Sequence, residues 1–201
     1  MKSHARSSIL KKTIEQKSAV KASLAVSILA GGMSSRMGRD KSKLRFEGRS
    51  LLGHIRAIAN KLGCRVRVIR RDLVPRCGPM GGIFTALKSS KASIELFLAC
   101  DMPFVSASLL RRVVQSLGPQ GKAAFIVANG VPGFPFALRL TALPIVEGQI
   151  HMKKFSIRAL ARALKAKTIH VTRGHAMDLV NINTPLEWEA ARATRRRIAN
   201  R

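Results

Sequence analysis

The sequence predicts an α/β fold in which a mostly parallel central sheet is covered by helices. Short apolar runs alternate with segments whose apolar residues recur at helical spacing, which is the pattern of successive strand–helix units. The runs at 24–29 and 94–100 contain few polar residues, as is typical of central parallel strands that are buried on both faces. At 201 residues the chain is long enough for one domain with a sizeable core. We expect 1–21 to form a basic, flexible tail and 22–201 to form this single domain.

The composition predicts a globular protein that favours anionic partners. Hydrophobic residues make up 46% of the chain, and no apolar run approaches the roughly 20 residues of a membrane helix. Aromatic residues make up only 4%, so we expect a core of Leu, Ile, Val and Ala. The net charge of +27 favours nucleotides or phosphorylated cofactors, although a solvated basic surface would explain most of it. Basic and aromatic residues are not interleaved, so specific nucleic-acid binding is not expected.

The cysteines and the amino-terminal segment indicate a cytoplasmic protein. Cys64, Cys77 and Cys100 are odd in number and widely spaced, which favours reduced thiols over disulfides. The basic, Ser-rich start is similar to a targeting leader. However, the apolar run at 24–29 leads directly into a glycine-rich segment that cleavage would separate from it.

The first chemically informative segment extends from Leu29 to Lys41, directly after the first predicted strand. It is Leu-Ala-Gly-Gly-Met-Ser-Ser-Arg-Met-Gly-Arg-Asp-Lys. Its glycines allow a turn whose N–H groups converge on an anion, and Arg36 adds a guanidinium that binds phosphate oxygens. Neither of the two common phosphate-loop patterns is present. The segment predicts a triphosphate-binding loop, with a simple tight turn as the alternative.

The next elements lead to a candidate aspartate. Ser50 is the predicted N-cap of a helix over 51–62, and alternating residues at 64–69 predict a strand. That strand leads to Asp72, for which a turn-capping role is the alternative, and the glycines at 81–82 begin a second predicted helix. The N–H groups at the start of this helix favour negative charge.

A second carboxylate ends the apolar run at 94–100. Asp101 lies in Asp-Met-Pro, where Pro103 restricts the exit of the chain. Sheets of this class bind their ligands at the carboxyl ends of strands. Mg²⁺ accepts a carboxylate oxygen from the protein and completes its shell with phosphates and water. Asp101 is therefore a predicted Mg²⁺ ligand, with a turn-forming aspartate as the alternative.

The rest of the chain continues the alternation of strands and helices. The pattern predicts a helix from Ser106 or Ser108, strands at 123–128, 134–140 and 168–171, helices from 141 and around 155–164, and a final helix at 186–197. Before the last helix, Thr184 and Pro185 are a predicted N-cap and first-turn proline. Asn181 and Asn183 precede them and are candidates either for acceptor or phosphate contacts or for a structural role.

Three motifs of this chain resemble those of one family. The segment at 29–41 is similar to the signature Leu-Ala-Gly-Gly-x-Ser-x-Arg-Met-Gly-x-Asp-Lys of the molybdenum cofactor guanylyltransferases, within the nucleotidyltransferase superfamily. Cys-Asp-x-Pro at 100–103 and Asn-x-Asn-Thr-Pro at 181–185 match two further motifs in the same order. The resemblance implies a three-layer α/β/α Rossmann-like fold. It also implies transfer of GMP from GTP to the phosphate of molybdopterin, with release of diphosphate.

The resemblance assigns roles to the matched residues. It implies that Arg36, Lys41 and Asp101 are the catalytic residues, with Asp101 holding Mg²⁺. It implies nucleotide contacts by Leu29, Ala30, Gly31, Gly32, Lys41, Asp72, Gly82 and Asp101, with Asp72 at the guanine or the ribose, and acceptor contacts by Asn181 and Asn183. Proteins of molybdenum cofactor biosynthesis and molybdoenzymes are further candidate partners.

The chain departs from the family in two places. Relatives usually have two strands with a helix between them before their Gly-Pro-Leu-x-Gly segment, whereas this chain has room for one strand, so one strand–helix unit is absent. Phe134 stands where relatives often have a basic residue or His before a proline. A noncatalytic nucleotide-binding adaptor that kept the fold therefore stays an alternative.

A second alternative is a cytidylyl or sugar-phosphate nucleotidyltransferase. Relatives that use CTP commonly have Leu-Ala-Ala-Gly in the first motif and lack Gly-Pro-x-x-Gly. Gly31 and the Gly-Pro pair at 78–79 therefore favour the guanylyl branch.

Overall fold

The computed structural model describes residues 23–30, 45–46, 48–171, 177–182 and 184–199. The strands of the described residues are β1 (Leu24–Leu29), β2 (Arg45–Phe46), β3 (Arg49–Ser50), β4 (Arg65–Ile69), β5 (Ile94–Ala99), β6 (Ala123–Ala128), β7 (Val131–Arg139) and β8 (Lys167–His170). Their α-helices are α1 (Leu51–Asn60), α2 (Pro79–Lys88), α3 (Ala107–Ser116), α4 (Leu143–His151), α5 (Ile157–Ala163) and α6 (Pro185–Ala199). The predicted tail at 1–21 lies outside the described residues.

Six of these strands form one sheet in the order β4–β1–β5–β7–β6–β8. β1 is parallel to both of its neighbours, β4 and β5, and β8 is parallel to β6. β7 is antiparallel to both β5 and β6. The predicted mostly parallel sheet is therefore confirmed, and β2 and β3 form a separate two-stranded hairpin.

Helices cover both faces of the sheet, which confirms the three-layer arrangement. On one face, Val26 and Leu96 of the sheet belong to a buried cluster with Ile55 of α1 and Leu109 of α3. On the other face, a second buried cluster joins the sheet to α2, α4 and α5 through Ile83, Val146 and Leu160.

The second core corrects the expectation of a core without aromatic residues. Phe97, Phe125 and Phe136 are completely buried in the centre of this face. The ring centroids of Phe125 and Phe136 are 4.4 Å apart, and those of Phe97 and Phe136 are 4.9 Å apart. The few aromatic residues of the chain are concentrated here because adjacent strands β5, β7 and β6 place them side by side in one register.

Serine side chains cap three helices, of which the cap at Ser50 and a serine start for α3 are predicted from the sequence. Ser50, Ser106 and Ser156 each accept a hydrogen bond from the backbone N–H three residues later, at 3.0, 3.2 and 3.1 Å. Ser106, not Ser108, therefore caps α3. The predicted start of α2 at 81 is too late, because the helix already begins with Pro79 in its first turn.

The region between α1 and α2 is short, as predicted. Within the described residues it contains a single strand, β4, and no described strand pairs with the outer side of β4.

None of the helices in the described part of the chain has the length and apolar character that crossing a bilayer requires. Cys64, Cys77 and Cys100 are all described and form no disulfide. Burial, followed by the negative charge of Glu95, raises the pKa of the Cys64 thiol.

A buried ion pair joins three neighbouring elements of the parallel half of the sheet. Glu95 of β5 is completely buried, and its Oε1 lies 2.7 Å from Nη2 of Arg67 on β4. Ser27 of β1, between them, donates to Oε2 of Glu95 at 2.9 Å, and Ser90 donates to Oε1 at 2.5 Å. Arg67 also donates to the carbonyl of Ala86 at 2.9 Å. The pair therefore connects β4, β1 and β5 with the carboxyl-terminal part of α2.

Replacing Arg67 by Met should reduce the free energy of unfolding by about 3–5 kcal/mol, because Glu95 is left as a buried charge without its cation. Urea denaturation measures this loss. Arg65→Met is the matched control, since Arg65 is exposed on the same strand and should change stability by less than about 0.5 kcal/mol. The double change Arg67→Met with Glu95→Leu should be more stable than Arg67→Met alone. If Arg67→Met and Arg65→Met have the same free energy of unfolding, the ion pair does not have the stabilising role given to it.

Candidate functional site

Three parallel strands end at the same level, and this brings the predicted site residues to one edge of the sheet. Leu29, the last residue of β1, is in register with Ile69 of β4 and Ala99 of β5. The N–H of Ala30 donates to the carbonyl of Ile69 at 2.9 Å. Asp72 follows three residues after the end of β4, and Asp101 two residues after the end of β5.

The first group of site residues consists of Leu29, Asp72 and Gly82. A Cβ at Gly82 would lie 3.1 Å from Cδ2 of Leu29 and 3.4 Å from Oδ1 of Asp72. A Cβ at the neighbouring Gly81 would lie 2.6 Å from the carbonyl oxygen of Val74 and 2.8 Å from Oδ2 of Asp72. These two glycines therefore let the segment after β4 lie directly against the first turns of α2.

The carboxylate of Asp72 is suited to receive a ligand. Burial raises the pKa of Asp72, because partial removal from water disfavours the charged form. Within the described residues, Asp72 has no hydrogen-bond or salt-bridge partner that would compensate its charge. Its half-buried oxygens lie beside the start of α2, where Gly78 provides no capping side chain. A ligand with N–H donors would satisfy this carboxylate.

The second group consists of Asp101 and Asn181, which line a cavity of about 350 Å³. The N–H of Ile182 donates to the carbonyl of Asp101 at 2.9 Å. Ile182 is itself completely buried in a small cluster with Leu51 and Phe104. The apolar wall of the cavity is formed by Ala99, Ile126, Ala128, Val131, Pro132, Phe134 and Leu179. Two polar residues therefore line a largely apolar space whose volume lies at the lower end of the range of small-molecule pockets.

Asp101 has the chemistry of a ligand for a hard divalent cation. Its Oδ1 is buried at the end of the central strand. The described residues contain no cluster of three His, Cys, Asp or Glu side chains that could hold a metal by themselves. A single carboxylate fits Mg²⁺, which takes most of its ligands from phosphates and water in such sites.

The structure joins some predicted site residues and does not describe others. Leu29, Ala30, Asp72 and Gly82 lie on the α2 side of the edge, and the Asp101–Asn181 cavity lies on the β7 side. The remaining predicted site residues, Gly31, Gly32, Arg36, Lys41 and Asn183, lie outside the described residues. Ala30, the last described residue before the glycine-rich segment, lies at this same edge.

Sequence patterns do not reveal two features of this region. The sequence places Gly81 near the start of a helix, but its close approach to Val74 depends on the tertiary structure. A larger cavity of about 590 Å³ lies between α1 and the segment after Asp101, with Arg49, His54 and Lys61 in its wall. None of the predicted site residues lines this second cavity.

The described fold matches a known family of nucleotide-dependent transferases. The family described as the MobA-like NTP transferase domain matches residues 26–171. A molybdenum cofactor guanylyltransferase of Xanthomonas euvesicatoria pv. vesicatoria is 31% identical over 176 residues, which cover 80% of this chain and 90% of that protein. A molybdenum cofactor guanylyltransferase of Rhizobium meliloti is 31% identical over 194 residues, with 83% of this chain and 89% of that protein covered.

Solved structures share the fold at lower sequence identity. Molybdopterin-guanine dinucleotide biosynthesis protein A from Archaeoglobus fulgidus has a TM-score of 0.65 and 19% identity, and the match covers 86% of this chain and 99% of that chain. The 2-C-methyl-D-erythritol 4-phosphate cytidylyltransferase of Thermus thermophilus has a TM-score of 0.65 and 16% identity, with 87% and 99% covered. These likenesses confirm the predicted fold class.

Replacing Asp72 by Asn should increase the stability of the ligand-free protein at neutral pH. Because its pKa is raised in the folded state, Asp72 stabilises the fold only when protonated. That contribution is complete below the ordinary value of 3.8 and is lost as the pH rises through the folded-state pKa. Thermal unfolding from pH 3 to 7 should show a higher Tm for Asp72→Asn near pH 7 and equal values near pH 3. A lower Tm for the variant at pH 7 would contradict this assignment.

Proposed function

This chain belongs to the MobA-like NTP transferase family, and on this basis we propose that it transfers GMP from GTP to the phosphate of molybdopterin. Diphosphate is the second product. The choice of guanine and of this acceptor rests on relatives named molybdenum cofactor guanylyltransferase, which match more than three quarters of the chain. The fold alone would not distinguish the base, since a cytidylyltransferase shares it.

The observation that supports the proposal is that two candidate binding regions lie at the ends of adjacent strands of the sheet. Leu29 ends β1, Asp72 follows β4 and Gly82 lies at the start of α2, whereas Asp101 follows β5, the strand next to β1 in the sheet. A group transfer between two bound molecules needs this adjacency, because most of the rate gain comes from holding the reactants in line.

The proposed reaction needs no protein nucleophile. An oxygen of the acceptor phosphate forms a bond to the α-phosphorus of GTP, and the bond from that phosphorus to the bridging oxygen of the β-phosphate breaks. The electron pair leaves with diphosphate. Catalysis then consists of positioning the reactants and stabilising charge.

The described residues take the following parts in the proposal. Asp72 accepts hydrogen bonds from the guanine N–H groups, for which its partly desolvated carboxylate is suited. Leu29 and Gly82 form the surface against which the nucleoside packs. Asn181 contacts the acceptor in the apolar cavity. From the sequence, Gly31, Gly32, Arg36 and Lys41 hold the triphosphate, and Asn183 assists Asn181.

We assign the metal role to Asp101. Its carboxylate would hold Mg²⁺, which neutralises phosphate charge when bound. The buried Oδ1 and the apolar cavity beside it support this assignment, because an exposed carboxylate would be held less firmly.

Three further expectations stay proposals. Residues 22–201 are proposed to form a single domain, since the described elements share one six-stranded sheet. Proteins of molybdenum cofactor biosynthesis and molybdoenzymes are proposed partners. The cytoplasmic location stays a prediction from the sequence.

Nucleotide preference tests the proposed base. With Mg²⁺ present, GTP should raise the Tm more than ATP, CTP or UTP, because only a bound ligand stabilises the folded state. At 100 times its dissociation constant, the stabilisation is about 2.7 kcal/mol. A larger shift with CTP would favour a cytidylyltransferase instead. Binding of GTP without diphosphate release when molybdopterin is supplied would favour the noncatalytic adaptor.

Replacing Asp101 by Ala should reduce magnesium-dependent diphosphate release from GTP by about 100-fold or more, because charge stabilisation in the transition state is lost. A coupled diphosphate assay measures the rate, and circular dichroism checks folding. Glu189→Ala is the control, since Glu189 is an exposed carboxylate on α6 that pairs only with Arg192 among the described residues. Undiminished release by the Asp101 variant would remove its assigned metal role.

A further inference from the structure

We propose that Thr85 is a positioning residue for the guanine-binding carboxylate, because its hydroxyl holds the segment that carries Asp72 against α2. This inference rests on the proposed function and extends it to a residue that does not contact the nucleotide. Three observations support it: the hydrogen bond between Leu73 and Thr85, the close approach of the segment to Gly81, and the exposure of Leu73.

The hydroxyl of Thr85 both accepts and donates a hydrogen bond. The backbone N–H of Leu73 donates to Oγ1 of Thr85 at 2.8 Å. The hydroxyl in turn donates to the carbonyl of Gly81, one turn earlier in α2, also at 2.8 Å. Because the proton is directed to the helix, the oxygen lone pairs remain for Leu73. The hydrogen bond within α2 therefore leaves Oγ1 of Thr85 to act as the acceptor for the N–H of Leu73.

The hydrogen bond acts on the residue directly after Asp72. A Cβ on Gly81 would lie only 2.8 Å from Oδ2 of Asp72 and 2.6 Å from the carbonyl oxygen of Val74. Leu73 is attached to α2 by Thr85, and Asp72 and Val74 approach the helix where Gly81 has no side chain. Together these contacts determine the distance between the carboxylate and the start of α2.

Apolar burial holds the later part of this segment, where Val74 packs against the second core and Cys77 is buried in it, but it does not hold Leu73. The side chain of Leu73 is 61% exposed, and Val74 is only half-buried. The carboxylate of Asp72 also gains hydration if the segment moves outward, since burial already raises its pKa. A specific contact is therefore needed to keep Asp72 beside Gly82 before the nucleotide binds, and Thr85 provides one.

The packing of α2 does not depend on Thr85. The helix is fixed by Met80, Ile83, Ala86 and Leu87, which are almost completely buried, whereas Thr85 is half-buried on another part of its surface. Loss of the hydroxyl should therefore leave the helix in place and release the segment with Asp72. The expected consequence is weaker and less selective guanine binding, since the ligand must then order the segment itself.

Equilibrium binding of GTP and ATP to the full-length chain with Mg²⁺, measured by calorimetry without acceptor, tests this inference. Thr85→Val keeps the shape of the side chain and removes the acceptor oxygen. It should weaken GTP binding by about 5- to 10-fold, the value of one such hydrogen bond, and change ATP binding by less than twofold. Thr85→Ser should retain the affinity for GTP. Thr194→Val is the matched control, because Thr194 donates to the carbonyl of Ala190 in α6 at 2.9 Å in the same way, far along the chain from Asp72.

The outcomes separate this inference from the proposed function. If the unmodified chain binds GTP selectively and Thr85→Val reduces that selectivity while Thr85→Ser does not, the positioning role is confirmed. If Thr85→Val lowers the Tm but keeps the selectivity for GTP, the residue is only structural and the inference is wrong. If the unmodified chain has no preference for GTP, the proposed function fails, and the inference fails with it.

Discussion

The register of β4, β1 and β5 is the constraint on which the candidate site depends. Leu29 lies between Ile69 and Ala99 at one level of the sheet, so the segments that follow these three strands begin side by side. A shift of one residue in either pairing would turn every side chain of a strand to the opposite face. Two buried cores and the ion pair across β1 oppose such a shift. Backbone pairing alone therefore brings together the three segments that carry the candidate site residues.

The buried ion pair and the start of α2 are connected through the helix. Arg67 binds Glu95 in the sheet and also the carbonyl of Ala86 and the hydroxyl of Ser89. These contacts fix the carboxyl-terminal end of α2 relative to β4. Because a helix of ten residues is nearly rigid, its first turn is then fixed as well, with Gly81 and Gly82 at the site. A polar group buried in the sheet thus contributes to the geometry of the binding region.

The short region before α2 carries Asp72, the candidate nucleoside-binding carboxylate. With a single strand between α1 and α2 in the described chain, the segment 70–78 alone connects the sheet edge to the helix. Asp72 lies in this segment, and its position depends on contacts with α2 because no second strand–helix unit covers it. In this short segment, Thr85 accepts the N–H of Leu73, and Gly81 allows Asp72 and Val74 to lie close to the helix.

The sequence by itself determined the order of the main strands and helices, the cap at Ser50, a serine start for α3 and the candidate aspartates, because these follow from local periodicity, hydrogen-bonding groups and recognisable motifs. It also identified Leu29, Asp72 and Gly82, which the structure brings into one group. The tertiary structure alone decided the concentration of phenylalanines on one face of the sheet and the Arg67–Glu95 pair. It also decided the contact of Thr85 with Leu73. These features join residues of different elements, and their formation depends on strand order and helix placement, which no local pattern contains.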